Sequence, residues 1–160
     1  MSVQTVKEYL KQWNFDTKVM EFDESSATVE LAAHAVGVIP ARITKTLSFK
    51  INDSCVLIAA AGDAKIDNKK YKEYFHTKAK MLTPEEVVEF TGHAIGGVCP
   101  FAIKNPDVKV YLDVSLKRFD VVYPAAGSSS SAVALTLPQL EQASGYEAWI
   151  DVCKGWQEEE

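Results

Sequence analysis

The chain has 160 residues, 47% of them hydrophobic and 24% charged, with a formal net charge of −5. That is length enough for one domain with a real core, read here as a single unit over residues 1–160. It excludes a globally basic surface for nucleic acid, and no apolar run approaches the roughly 18–20 residues that span a bilayer. Three cysteines (Cys55, Cys99, Cys153) without CxxC spacing argue against a disulfide framework or a zinc site. The three histidines (His34, His76, His93) are scattered, so neither a metal nor another cofactor is expected. The N-terminus has helical periodicity and no signal-peptide core, which predicts a cytoplasmic protein.

In chain order, Val3, Val6, Leu10 and Trp13 share one side of a helix over 3–13, with Ser2 as its cap. "TKVMEF" (17–22) reads as short and extended. "TVELAAHAVG" (28–37) predicts a second helix with Val29, Ala32, Ala33 and Val36 inward and Gly37 as its stop; His34 points elsewhere. "TKTLSFKI" (44–51) and "SCVLIAAAG" (54–62) bracket Asn52-Asp53, a hairpin signal. The second run is apolar almost throughout, so it reads as a central strand with Cys55 as inert core.

Asp67 can cap a helix over 68–76. Thr83, Pro84 and Glu86 mark a helix start by cap, first-turn proline and capping box, and Gly92 stops that helix. Residues 108–113, 120–125 and 132–136 read as strands. Thr136 and Pro138 open a last helix that ends at Gly145, and 147–152 closes the sheet, leaving "QEEE" as a frayed tail. Strands and helices do not alternate regularly. The fold class is therefore α+β: a mixed, curved, barrel-like sheet of about eight short strands flanked by helices.

Several segments hold more polar or glycine content than a core needs. Lys45 interrupts a strand entering the core, where a lysine either snorkels outward or holds an anion in a cleft. "AAAGDAKID" (59–67) is a turn at the end of a buried strand. "GHAIGGVCPF" (92–101) packs three glycines, a cysteine and a proline into ten residues, which suits a backbone brought close to a ligand. "AAGSSSSA" (125–132) offers N–H groups and hydroxyls to a polar ligand. The lysines of 63–80 (Lys65, Lys69, Lys70, Lys72, Lys78, Lys80) form either a solvated helix face or a local patch for phosphates.

Taken together, "TVELAAHAVGV", "ARITKTLSF", "AAAGDAKIDNKK", "GHAIGGVCPF" and "AAGSSSSAVALTLPQL" resemble, in order and spacing, the YbaK/prolyl-tRNA-synthetase-associated domain family of aminoacyl-tRNA editing deacylases. The resemblance covers roughly residues 3–152. It implies hydrolysis of the ester between a wrong amino acid and the 3′ adenosine of a tRNA. It places the family's essential lysine on Lys45 and its glycine-x-x-x-proline loop on Gly96 to Pro100, with Gly96 and Gly97 in the catalytic set. Thr46, His93, Ile95, Val98, Pro100, Gly127, Ser128 and Ser129 are the implied substrate contacts. The implied partners are the aminoacylated 3′ end of tRNA and, as a candidate, prolyl-tRNA synthetase, with the chain a monomer or weak dimer. Ala132 stands where some relatives, the cysteine-specific ones among them, carry an acidic residue, so that specificity does not transfer directly.

An aminoacyl ester is already activated. Positioning it, stabilising the oxyanion and neutralising phosphate would suffice, with water or a substrate hydroxyl as nucleophile. The leading function is deacylation in trans of mischarged tRNA, with tRNA for proline bearing a small non-cognate residue as the expected substrate. Two alternatives stand beside it: a non-catalytic sensor of aminoacyl-tRNA or of an amino acid, and a thiol enzyme using Cys99 with His93, six residues away, as its base.

Overall fold

A computed structural model of the chain describes residues 3–23, 28–94 and 97–156. The cap expected at Ser2 and the terminal "QEEE" lie outside those residues.

The helices begin where the capping chemistry places them. Helix α1 (Val3–Leu10) continues as a 3-10 turn over Lys11–Trp13 and buries Val6 and Leu10. Helix α2 (Val29–Val36) starts at Thr28, whose hydroxyl accepts from the Leu31 N–H, and stops at Gly37 with φ +84°. Helix α3 (Asn68–Phe75) starts where the Asp67 carboxylate accepts from the N–H groups of Lys69 and Lys70. Both α4 (Pro84–Thr91) and α5 (Leu137–Ser144) carry complete capping boxes, Thr83 with Glu86 and Thr136 with Gln139.

The strands are β1 (Val19–Glu21), β2 (Ile43–Ile51), β3 (Ser54–Ala61), β4 (Lys65–Ile66), β5 (Lys109–Asp113), β6 (Val121–Pro124), β7 (Ser131–Val133), β8 (Leu135–Thr136), β9 (Ala148–Ile150) and β10 (Cys153–Lys154). Six form one mixed, curled sheet in the order β8-β6-β2-β3-β5-β9. The hairpin β2–β3 is antiparallel from Thr44↔Ala61 to Ile51↔Ser54, around Asn52 at φ +55°. Strand β3 is buried from Cys55 to Ala61, as an all-apolar central strand requires. On one of its faces Phe49 meets Tyr71 of α3, with ring centroids 5.1 Å apart, and Phe75 meets Tyr111 at 5.2 Å.

Two details depart from the sequence reading. The run 132–136 is two strands: β7 leaves the main sheet to pair with β1, and β8 pairs with β6. The segment after β9 also returns as β10, against β4. Each departure rests on a pairing two or three residues long between distant segments, which no local pattern announces.

A buried polar node fixes the end of β3. The Asp113 carboxylate accepts from the N–H of Ser115 (2.9 Å) and of Val152 (3.0 Å), and the Ser115 hydroxyl accepts from the Ala61 N–H (3.1 Å). The adjoining Gly62 has no room for a side chain: a Cβ there would lie 2.2 Å from the Pro40 carbonyl oxygen and 2.6 Å from Val29 Cγ1. Glycine at this point lets α2 and the segment after it close over the sheet edge.

All three thiols are buried. Burial pushes Cys55 up to about 11 and Cys99 up to about 12, and raises Cys153 as well. The unfolded chain loses these protons near 9 while the folded chain keeps them, so stability falls as pH rises above about 9. Thermal unfolding between pH 8 and 10.5 should show a falling midpoint, as unfolding free energy drops by up to about 1.4 kcal/mol per pH unit for each thiol. Cys99→Ala should flatten the slope, and an unchanged slope would contradict the assignment.

Candidate active site

The site lies where the pairing of β2 with its outer neighbour is interrupted. Strand β6 reaches β2 only at Ile43↔Tyr123 and Thr44↔Pro124. Further along, the Lys50 N–H donates to the Lys80 carbonyl (2.8 Å) and the Leu82 N–H donates to the Ser48 carbonyl (3.4 Å). A cleft of about 260 Å³ opens between these two contacts, lined by residues 44–48 and closed by Ala32, Leu82, Val98, Ala125 and Ala132.

Lys45 lines this cleft and is half-buried. Its ammonium has no hydrogen bond or ion pair among the described residues. Burial is the main cause of a pKa held below the ordinary lysine value; Cys153, Asp63 and Glu30 oppose the shift and Lys65 adds to it. A partly dehydrated, uncommitted cation is ready to receive an anion.

Thr46 and Val98 also line the cleft, as expected. Among the described residues, the hydroxyls of Thr44 and Thr46 are buried there without a hydrogen-bond partner. Thr44, Ser48, Ser131 and Tyr123 were missed as cleft residues. A signal was available: Thr44, Thr46 and Ser48 recur with period two beside an all-apolar strand, a polar row on one face of the sheet.

Other anticipated residues lie away from this cleft. Ile95 and Gly96 fall outside the described residues. Gly97 is buried, its N–H donates to the Ala94 carbonyl (3.0 Å), and a Cβ on it would lie 2.9 Å from Gly127 C, Gly127 O and Ser128 Cα. Its missing side chain therefore makes room for the backbone of the serine loop. In that loop the hydroxyls bond one another and the local backbone: Ser128 Oγ donates to Ser131 Oγ (3.1 Å), which accepts from the Ala126 N–H (3.2 Å). Gly127, Ser128 and Ser129 support the cleft wall at Ser131 and Ala132 rather than line it. Pro100 lines a separate, wider depression with Tyr9 and Lys104.

His93 is fully buried. Its Nε2–H donates to the Phe101 carbonyl (2.8 Å), and Nε2 lies 3.6 Å from Cys99 Sγ. Chain folding thus brings the suspected thiol and base together. Burial lowers the His93 pKa and raises that of Cys99, which opposes an imidazolium–thiolate pair. Among the described residues no cluster of three or more His, Cys, Asp or Glu comes together. In the basic stretch Lys70 is paired with Asp151 at 3.0 Å, and Lys69, Lys72, Lys78 and Lys80 are solvated.

Residues 23–143 match the model of the aminoacyl-tRNA editing domain. The chain belongs to this family. The editing domain is 55% identical over 158 residues to the uncharacterised protein YwhH of Bacillus subtilis (strain 168), covering 98% of this chain and 100% of the relative. It is 31% identical over 112 residues to a proline–tRNA ligase of the same organism, covering 69% of this chain and 18% of the ligase. A solved structure provisionally described as a trans-editing enzyme for prolyl tRNA synthetase superposes with a TM-score of 0.86 at 31% identity, covering 96% of this chain and 97% of the other. No helix among the described residues is long and apolar enough to cross a membrane.

In this editing domain the Gly97–Gly127 contact joins the two loops that back the cleft. Gly97→Ala should force them apart, costing about 1–3 kcal/mol of stability. It should also lower turnover per folded molecule by displacing Ser131 and Ala132. Thermal unfolding and ester hydrolysis measured on one preparation check both, and a wild-type midpoint would show that the loops yield freely.

Proposed function

We propose that this editing domain hydrolyses, in trans, the ester of mischarged aminoacyl-tRNA, with tRNA for proline bearing a small non-cognate amino acid as substrate. The observation that carries this reading is the half-buried Lys45, uncommitted among the described residues, lining the same small cleft as two threonines whose buried hydroxyls have no partner there. The alanines of its wall (Ala32, Ala125, Ala132) leave space for a short side chain. Discrimination by one methylene gives a synthetase only about 1–3 kcal/mol, which is why such an activity is needed.

In the mechanism Lys45 holds the terminal phosphate or the developing negative charge. Water, or a hydroxyl of the terminal ribose, attacks the acyl carbon. Val98 and Thr46 bound the acyl group, while Gly97, Gly127, Ser128 and Ser129 hold the cleft wall in place. Contact of Gly96, Ile95 or Pro100 with tRNA beyond the acyl group is part of the same proposal, with the buried His93 packing beneath that loop. Prolyl-tRNA synthetase is the proposed protein partner. Cys99 has no place in the chemistry, because its thiol is wholly buried and keeps its proton at neutral pH.

The deciding experiment charges tRNA for proline with alanine, cysteine, serine or proline and follows release of each amino acid. The proposal expects hydrolysis of at least one non-cognate ester and sparing of the prolyl ester. Lys45→Met should reduce turnover by about 10²–10³-fold. Its unfolding midpoint should stay equal or rise, since a partly dehydrated charge is removed. Near-normal turnover would remove Lys45 from the mechanism.

Cys99→Ser should retain most activity, and iodoacetamide should leave the native thiol unmodified at pH 8. A thousandfold loss in a well-folded Cys99→Ser protein would restore the thiol mechanism.

A further inference from the structure

The backbone of β2 shows what the cleft is shaped to hold. In a strand, the N–H and C=O of one residue point to the same edge, and successive residues alternate. Lys50 and Ser48 bond outward, to Lys80 and Leu82. The even-numbered residues of β2 therefore face away from β3. An independent bond gives the same parity: Ala61 of β3, opposite Thr44, turns its N–H to Ser115 on the far side. Thr46 pairs with Ala59 in register but turns both of its backbone groups toward the gap between β6 and residues 80–82. Among the described residues neither group has a partner. An unpaired N–H and C=O at an otherwise bonded position is a vacancy for a ligand.

The buried hydroxyls are a second, independent pointer. Thr44 is 3% exposed, and among the described residues its Oγ1 and that of Thr46 are without partners on the face of β2 adjoining this gap. Gly97, which the family resemblance puts in the catalytic set, has already given its N–H to Ala94.

Building on the deacylase reading above, we infer that the aminoacyl group of the substrate occupies the missing strand position opposite Thr46. It pairs as one residue of an antiparallel ladder, exchanging both hydrogen bonds. The Thr46 carbonyl accepts from the α-ammonium, and the Thr46 N–H donates to the ester carbonyl oxygen. In such a pair the two side chains lie on the same face, so the amino-acid side chain sits beside the Thr46 and Thr44 hydroxyls. The N–H that holds the carbonyl also holds the oxyanion. Water oxygen bonds to the acyl carbon, the ester C–O bond breaks with its electron pair going to the ribose oxygen, and a proton released by the water ends on that oxygen. Thr46 is thus a catalytic residue through its main chain.

The test uses the full chain and a stable amide probe, 3′-(L-alanylamino)-3′-deoxyadenosine, with the propionyl amide, which lacks the ammonium, as control. Amide hydrogen exchange is read by ¹H–¹⁵N spectroscopy. In the free protein the Thr46 amide should exchange at least about tenfold faster than those of Lys45 and Leu47, which bond to β3. Saturating alanyl probe should slow Thr46 by about tenfold or more, and the propionyl probe should bind about tenfold more weakly. Protection of other cleft amides with Thr46 unchanged would overturn the inference while leaving the deacylase reading intact, provided charged tRNA is still hydrolysed. Equal affinity of the two probes would overturn the ammonium contact. Failure to bind the probe would overturn the inference alone, whereas failure to hydrolyse any charged tRNA would overturn the deacylase reading with it.

Discussion

The register of the β2–β3 hairpin governs the rest of this molecule. Eight residue pairs from Thr44↔Ala61 to Ile51↔Ser54 decide which groups of β2 are spent on β3 and which face outward. The same register puts Phe49 on the aromatic face with Tyr71 and puts Thr44, Thr46 and Ser48 on the other. A slip of one residue would exchange these faces, burying hydroxyls against aromatic rings and turning Phe49 toward the cleft. Asn52 in the left-handed region and the wholly apolar β3 both oppose that slip, one through the turn and the other through burial.

Much of this was legible in the sequence because its causes are local. Thr83 with Glu86, Asp67 before its helix and Asn52-Asp53 between two β-rich runs each act within a few residues, and each element begins where they place it. The resemblance carried by "ITKTLSF" put Lys45 at the cleft for a different reason, a matched motif. What stayed hidden depends on contacts between distant segments. Gly97 is small because Gly127 and Ser128 press on it from thirty residues away, which no reading of "GHAIGGVCPF" alone can show. The division of 132–136 depends on β1, more than a hundred residues earlier.

The His93–Cys99 pair shows how proximity and reactivity separate. Side chains 3.6 Å apart in a glycine-containing loop are the arrangement that suggests a thiol enzyme. Their surroundings lack the polarity that would support two opposite charges, so both stay neutral and serve the packing beneath the loop. Lys45 is the reverse case: among the described residues no side chain pairs with it, and its partial burial makes an incoming anion worth more to it.

An exposed sheet edge commonly invites other chains to pair and aggregate. The break in β2 is one residue long, bounded by β6 on one side and by Lys80 to Leu82 on the other. A polypeptide needs several consecutive residues to add as a strand, so the gap offers too little length to nucleate a fibril. With the aminoacyl group in the strand position inferred above, the same shortness would act as a gate on the nascent chain. A single amino acid esterified to tRNA would fit between the two stops, whereas the tRNA of an elongating ribosome would drive its second residue into one of them. An editing site built in this way would spare protein synthesis in progress through geometry alone.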